Sequence, residues 1–218
     1  MVKGIIFDFD GLILDTETHQ YLLLQELFAE YGSELPIERW QQEIGTHSGF
    51  SPFQYLNENI QQKIDPHTLQ KQFKEKFQDK LIGEKARAGV EEYLQEAKEM
   101  DLKIGLASSS SYQWVSTHLV NLNIIDYFDC IKTSDDVKKV KPDPALYLET
   151  AKELGLAVEE CLVFEDSANG AMAAKKAKMK CIIVPNQVTH TMDFCMVEHR
   201  LQSMSDMSLK EVIAYINK

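Results

Sequence analysis

Five short apolar runs limit what this chain can fold into: Gly4–Phe9, Leu102–Ala107, Cys130–Thr133, Cys161–Glu165 and Lys180–Pro185. Three of them contain Gly4-Ile5-Ile6-Phe7, Cys161-Leu162-Val163-Phe164 and Cys181-Ile182-Ile183-Val184, stretches without polar alternation. A strand with one wet face alternates, whereas a strand covered on both faces does not. Helical patterns separate the runs, at about 89–100, 112–122, 143–154 and 168–178. Strand and helix in alternation predict βαβ units. The expected fold is therefore α/β, with a parallel sheet, helices on both faces and right-handed crossovers.

The alternation breaks once. Between the first run and the helix near Gly89 no strand-like run occurs. The segment reads as helices near Glu17–Tyr31, Pro36–Ile44, Phe53–Gln62 and Asp65–Leu81. Leu23, Leu27 and Tyr31 recur at helical steps. Ser51-Pro52 and Asp65-Pro66 each place Pro at a first helical position. The chain has 218 residues, and domains run to roughly 100–200. The economical reading is one α/β domain, residues 1–15 and 84–218, interrupted by a helical domain, residues 16–83. Gly83 and Gly89 are candidate hinges.

The formal charge of −11 argues against nucleic acid and anionic membrane surfaces, which select basic faces. The longest stretch free of Asp, Glu, Lys and Arg, 104–125, is too rich in Ser, Asn and Thr to span a bilayer. The first apolar run meets Asp8 too soon to form a secretory signal. Cys130, Cys161, Cys181 and Cys195 are widely spaced and read as buried free thiols of a reducing cytoplasm.

Ligands of parallel α/β sheets bind beyond the carboxyl ends of the strands. The first run ends in Asp8-Phe9-Asp10-Gly11, the second in Ser108, and the fourth in Glu165-Asp166; Lys141 follows the third. Each has a plain explanation alone, as a helix cap, a turn or a solvated lysine. Together they gather carboxylates, a hydroxyl and an ammonium on one rim. Clustered carboxylates repel unless one is protonated or a cation lies between them. Hard oxygen donors of this kind suit Mg²⁺, which also takes substrate phosphate oxygens. Ser108 and Lys141 are suited to hold a phosphoryl group.

The residues Asp8-Phe9-Asp10-Gly11-Leu12-Ile13-Leu14-Asp15-Thr16, Leu106-Ala107-Ser108, Lys141-Pro142-Asp143-Pro144 and Val163-Phe164-Glu165-Asp166-Ser167-Ala168-Asn169-Gly170 resemble the motifs of the haloacid dehalogenase superfamily. All four occur in order, and the resemblance spans residues 4–185. The helical insert resembles the cap of the subclass that includes β-phosphoglucomutase and phosphoglycolate phosphatase. The resemblance implies a Rossmann-like core with a four-helix cap. It implies Asp8 as nucleophile and Mg²⁺ ligand, and Asp10 as general acid and base with its main-chain carbonyl on the metal. Asp166 is implied as the remaining ligand, with Glu165 in support. Ser108, Ser109 and Lys141 would hold the phosphoryl group.

Specificity is expected in the cap, at Thr16, His19 and the Gly45-Thr46-His47 loop; Trp40 and the cap Phe and Tyr residues are expected to fill the cap core. Related mutases use a His one turn after the Asp-Thr pair and a cap Arg on a second phosphate. Here His19 is one position out of step, with Gln20 in its place, and the loop has no Arg. Arg is the preferred bidentate phosphate clamp. The sequence therefore points to a Mg²⁺-dependent phosphatase of a small phosphorylated metabolite, with sugar phosphates among the candidates. The alternative is a phosphomutase of the β-phosphoglucomutase type. A monomer or weak dimer is expected.

Overall fold

The computed structural model describes residues 1–61, 63–194 and 197–217. Its centre is a parallel sheet. Strand β1 (Gly4–Phe7) is flanked by β2 (Lys103–Ala107) and β4 (Cys161–Glu165). Beyond them lie β3 (Cys130–Lys132), then β5 (Lys180–Ile183) and β6 (His199–Arg200), in the order β3-β2-β1-β4-β5-β6. Every pairing is parallel.

The unalternating runs are covered on both faces. Ile5 and Phe7 pack on one side with Leu94, Val115 and Val212. Those residues belong to α5 (Val90–Glu99), α6 (Tyr112–Asn121) and α9 (Leu209–Ile216). Ile6 and Val163 face the other side with Leu146, Tyr147 and Ala173, from α7 (Ala145–Leu154) and α8 (Ala168–Lys176). Burial of each such Leu, Ile or Phe side chain contributes about 1.5–3 kcal/mol. The result is an α/β, Rossmann-like core.

Helices α1 (Thr16–Glu30), α2 (Ile37–Gln41), α3 (Pro52–Asn59) and α4 (Pro66–Lys80) occupy the segment between β1 and α5. They bury a cluster of their own, including Leu24, Phe28, Trp40, Phe53 and Phe73. Asp15, Ser51 and Asp65 cap three of these helices through side-chain oxygens. Helix α2 is shorter than the sequence reading because residues 42–46 close into turns. No described helix is long and apolar enough to cross a membrane.

The return connection is pinned. Arg87 N donates to Ile13 O (2.8 Å), tying the second crossing of the chain to the first. Gly89, at φ +87°, caps α5 against Met204. A Cβ added to Gly83, at φ +79°, would meet nothing within 4 Å. Two elements escaped the sequence reading: β6 and α9. A two-residue strand carries no period. Cys130, Cys161 and Cys181 are free and buried; Cys195 lies outside the described residues.

Candidate active site

The strand order reverses between β1 and β4, which opens a crevice at their carboxyl ends. Asp8 N still donates to Phe164 O (3.0 Å), so Asp8 leaves the sheet at that crevice. The chain then coils, with the amides of Leu12, Ile13 and Leu14 all donating to Phe9 O. Gly11 takes φ +80°, and a Cβ there would lie 2.2 Å from Asp166 Oδ2. Only glycine lets this turn lie against the end of β4.

Lys141 is buried beneath the crevice. Its ammonium donates to Asp8 Oδ1 and, at 2.7 Å, to Glu165 Oε1. The Tyr147 hydroxyl donates to the same Glu165 oxygen at 2.7 Å. Glu165 Oε2 accepts from Asp166 N, Ser167 N and Ser167 Oγ, each at 3.0 Å. A Cβ on Gly170 would overlap this carboxylate at 1.7 Å, so α8 can approach only as glycine. Burial opposes the charge of Glu165, but Lys141 outweighs it and holds the carboxyl below its ordinary range. Burial also opposes the Lys141 ammonium, and Asp8 and Glu165 outweigh it, raising the lysine.

The other acids lack such support. Burial and the Glu165 charge push Asp8 up to about 8, against the pull of Lys141. The same two causes raise Asp166 well above its ordinary value. Asp166 Oδ2 accepts from Asn186 Nδ2 (2.7 Å), while its Oδ1 is buried with no hydrogen-bond partner among the described residues. One oxygen from each of Asp8, Glu165 and Asp166 falls within 4.8 Å of the others. One ammonium against three carboxylates leaves the floor short of positive charge. The orphaned oxygen and the hard donor set fit a divalent cation such as Mg²⁺. Because Glu165 is filled by other donors, Asp8 and Asp166 are the side chains left to hold it.

The Asp10 carboxylate faces elsewhere. Its Oδ1 accepts from Thr16 Oγ1 (3.0 Å) and Trp114 Nε1 (2.9 Å), and its Oδ2 from Ser110 Oγ (2.6 Å). Ser108 is buried, and its Oγ accepts from Ser110 N at 3.0 Å. The Ser109 hydroxyl donates to Gly45 O (2.8 Å), so it ties the cap loop to the core.

A cavity of about 620 Å³ lies above this floor, with Asp8, Asp10, Ser108 and Ser109 at its base. Thr16, Gly45, Thr46 and His47 line it. His19 does not; its Nε2 pairs with Glu84 Oε1 (2.9 Å) at the return connection. Gln20 lines the cavity instead, because successive residues of a helix face about 100° apart. Trp40, Phe53, Phe73 and Phe77 both fill the cap core and wall the cavity.

None of the three arginines lines it. Arg39 pairs with Glu43 and lies over the Phe50 ring. Arg87 donates to Gly11 O, Val184 O (3.0 Å) and Pro185 O (2.8 Å). Arg200 donates to His190 O.

Asn186, Ser110, Trp114 and Glu17 were not singled out in the sequence. Asn186 follows β5 in a segment with no period to mark it. Ser110 belongs to the run Ser108–Ser111, in which sequence does not separate one hydroxyl from the next. Glu17 is buried and lines the cavity; burial first, then the Asp10 and Asp8 charges, raise it well above its ordinary value.

The sequence matches the haloacid dehalogenase-like hydrolase family over residues 5–184. It is 54% identical, over all of this chain and 99% of the other, to the protein of Bacillus subtilis (strain 168) named "Putative phosphatase YhcW". It is 30% identical to "Phosphorylated carbohydrates phosphatase" of Thermotoga maritima, over 83% of this chain and 84% of that protein. Among solved structures, one described as a "putative beta-phosphoglucomutase from Thermotoga maritima" superposes with a TM-score of 0.77. It is 25% identical and covers 98% of this chain and 99% of that one. The motifs at the strand ends, the match over most of the chain and the shared fold agree: this chain belongs to the haloacid dehalogenase-like hydrolase family.

Proposed function

We propose that the chain is a Mg²⁺-dependent phosphatase that hydrolyses a sugar phosphate or similar small metabolite through an aspartyl-phosphate on Asp8. The observation that carries this reading is the floor itself. Asp8 lies at the base of the cavity with Lys141 on one oxygen, and nearby Asp166 keeps an oxygen that has no partner among the described residues. The relatives named for phosphatase activity support the same class.

In the first step an Asp8 carboxylate oxygen forms a bond to phosphorus while the ester P–O bond breaks. The leaving oxygen takes a proton from Asp10. In the second step Asp10 takes a proton from water as the water oxygen attacks phosphorus. Inorganic phosphate leaves and the Asp8 carboxylate is restored. Lys141 and Ser108 hold the charged phosphoryl oxygens in place. Mg²⁺, held by Asp8, Asp166 and the Asp10 main-chain carbonyl, would supply the positive charge that lets a carboxylate approach a phosphate. The cap excludes bulk water around these groups.

The mutase reading requires a grip on a second phosphate. Among the described residues, the cap side of the cavity offers one lysine, Lys74, and no arginine. That favours hydrolysis of a monophosphate. The test is phosphate release from a panel of pentose and hexose monophosphates, in Mg²⁺ and in excess chelator. Release from at least one sugar phosphate, in Mg²⁺ only, is expected. Isomer interconversion without net phosphate release, or no turnover of any panel member in Mg²⁺, would overturn the proposal.

A further inference from the structure

We infer that Trp114 is a positioning residue for Asp10, and that it ties the Asp10 carboxylate to the place of the cap on the core. The inference rests on the role proposed above for Asp10 as acid and base.

Trp114 stands on core helix α6, and its indole N–H donates to Asp10 Oδ1 at 2.9 Å. The same ring stacks on Phe77 of cap helix α4, with centroids 6.0 Å apart and planes 17° apart. His118, one turn further along α6, braces the other part of the indole edge-on at 4.3 Å. Trp114 therefore packs against both hydrophobic clusters, that of the sheet and that of the cap. It also walls two spaces, the 620 Å³ cavity over the floor and a second cavity of about 720 Å³ behind it.

A half-buried indole N–H needs an acceptor, and here the acceptor is the proposed acid and base. The remaining donors to Asp10 complete the link. Thr16, the first residue of cap helix α1, shares Oδ1, and Ser110 of the core holds Oδ2. Asp10 is thus bonded directly to one cap helix and, through Trp114 and Phe77, to another. A shift of α4 moves the partner of the indole ring, and the ring carries the hydrogen bond that aims Asp10. Simple packing would not require the indole nitrogen to point at a carboxylate on the cavity floor.

The test separates proton delivery from general damage. The value of kcat/KM covers steps up to departure of the leaving group. A sugar alkoxide needs a proton to leave, whereas p-nitrophenolate does not. Trp114→Phe, which keeps a ring and removes the N–H, is expected to lower kcat/KM for a sugar phosphate about tenfold, short of the ~10²–10⁴ that a whole general acid contributes. The value for p-nitrophenyl phosphate is expected to fall far less. An equal fall for both substrates, or no fall for either, would overturn the positioning role.

A second measurement needs no turnover. The chain has two tryptophans, so Trp40→Phe leaves Trp114 as the sole indole fluorophore. In that background both Asp10→Asn and Phe77→Leu are expected to shift the Trp114 emission. An emission unmoved by Phe77→Leu would remove the link to the cap, and one unmoved by Asp10→Asn would remove the bond to the carboxylate. Failure of the wild-type protein to release phosphate would count against the phosphatase reading alone, because the emission measurement does not depend on it.

Discussion

The floor and the roof of the cavity are built on opposite principles. The floor is charge: Asp8, Lys141, Glu165 and Asp166 are all buried, and one lysine serves two carboxylates. The roof is apolar: buried aromatic rings from α2, α3 and α4, edged by the more exposed loop 45–49. The roof's own charged pair, Arg39 and Glu43, is closed on itself. Buried charges are costly unless their geometry is fixed, so the floor admits little variation. Ring contacts depend on area and shape and not on charge pairing, so apolar side chains of similar volume can replace one another on the roof for under about 1.5 kcal/mol. The difference fits the proposed function, in which the core would hold the phosphate and the cap would read the rest of the substrate.

Replacing the proposed nucleophile tests the comparison most severely. Asp8→Asn is expected to lower phosphate release by at least ~10⁴-fold, as loss of a covalent nucleophile does elsewhere, with the fold retained by circular dichroism. Turnover within tenfold of wild type would deny Asp8 its role.

Next in size is the lysine. Lys141→Met leaves Asp8 and Glu165 without their shared cation, and unfolding free energy is expected to fall by about 3–5 kcal/mol, read from urea midpoints. On the roof, the exposed Lys74→Ala is expected to change stability by less than about 0.5 kcal/mol. If the two variants lose equal stability, the contrast between floor and roof is broken.

The floor also has a pH signature. Asp8 is raised from an ordinary 3.8 to about 8 in the protein without metal. Between those values the folded state binds a proton that the unfolded chain does not. That contribution to stability is full below about pH 4 and is lost as pH rises to about 8. Asp166 and Glu17, also raised, act in the same direction. Glu165, lowered by Lys141, acts in the opposite one, losing its contribution only as pH falls through the carboxylate range. Urea midpoints in chelator are therefore expected to drop between pH 5 and 8, and added Mg²⁺ to restore most of the loss at pH 8. A flat profile in chelator would mean that the floor is not short of positive charge.

The smallest effects belong to the roof. Lys74→Ala is expected to raise KM a few-fold with kcat unchanged, the mark of lost uniform binding. Gln41 donates to Val188 O (2.6 Å) and Thr191 Oγ1 (2.8 Å), across the joint between cap and core. Gln41→Ala is expected to cost about 1 kcal/mol, measured by thermal unfolding, and to sharpen how firmly the roof is seated.

Five apolar runs alternating with helical patterns determined the parallel sheet, and three of them lack polar alternation because a strand covered on both faces has no wet side. The strand-end positions of Asp8, Ser108, Glu165 and Asp166 followed from that sheet alone, since parallel strands deliver their carboxyl ends to one rim. Lys141 lies nine residues beyond the end of β3, so its place after the third run suggested an ammonium on the rim but not the buried pairing with Asp8 and Glu165. The tertiary structure alone decided which oxygen of each acid is filled and which is open. It also turned His19 towards Glu84 and Gln20 into the cavity, and it brought Asn186 to Asp166 across twenty residues of chain. Trp114 at Asp10 spans a separation of 104 residues. Periodicity records only whether a face is buried. The partner met on that face is set by how separate elements pack, which no local pattern encodes.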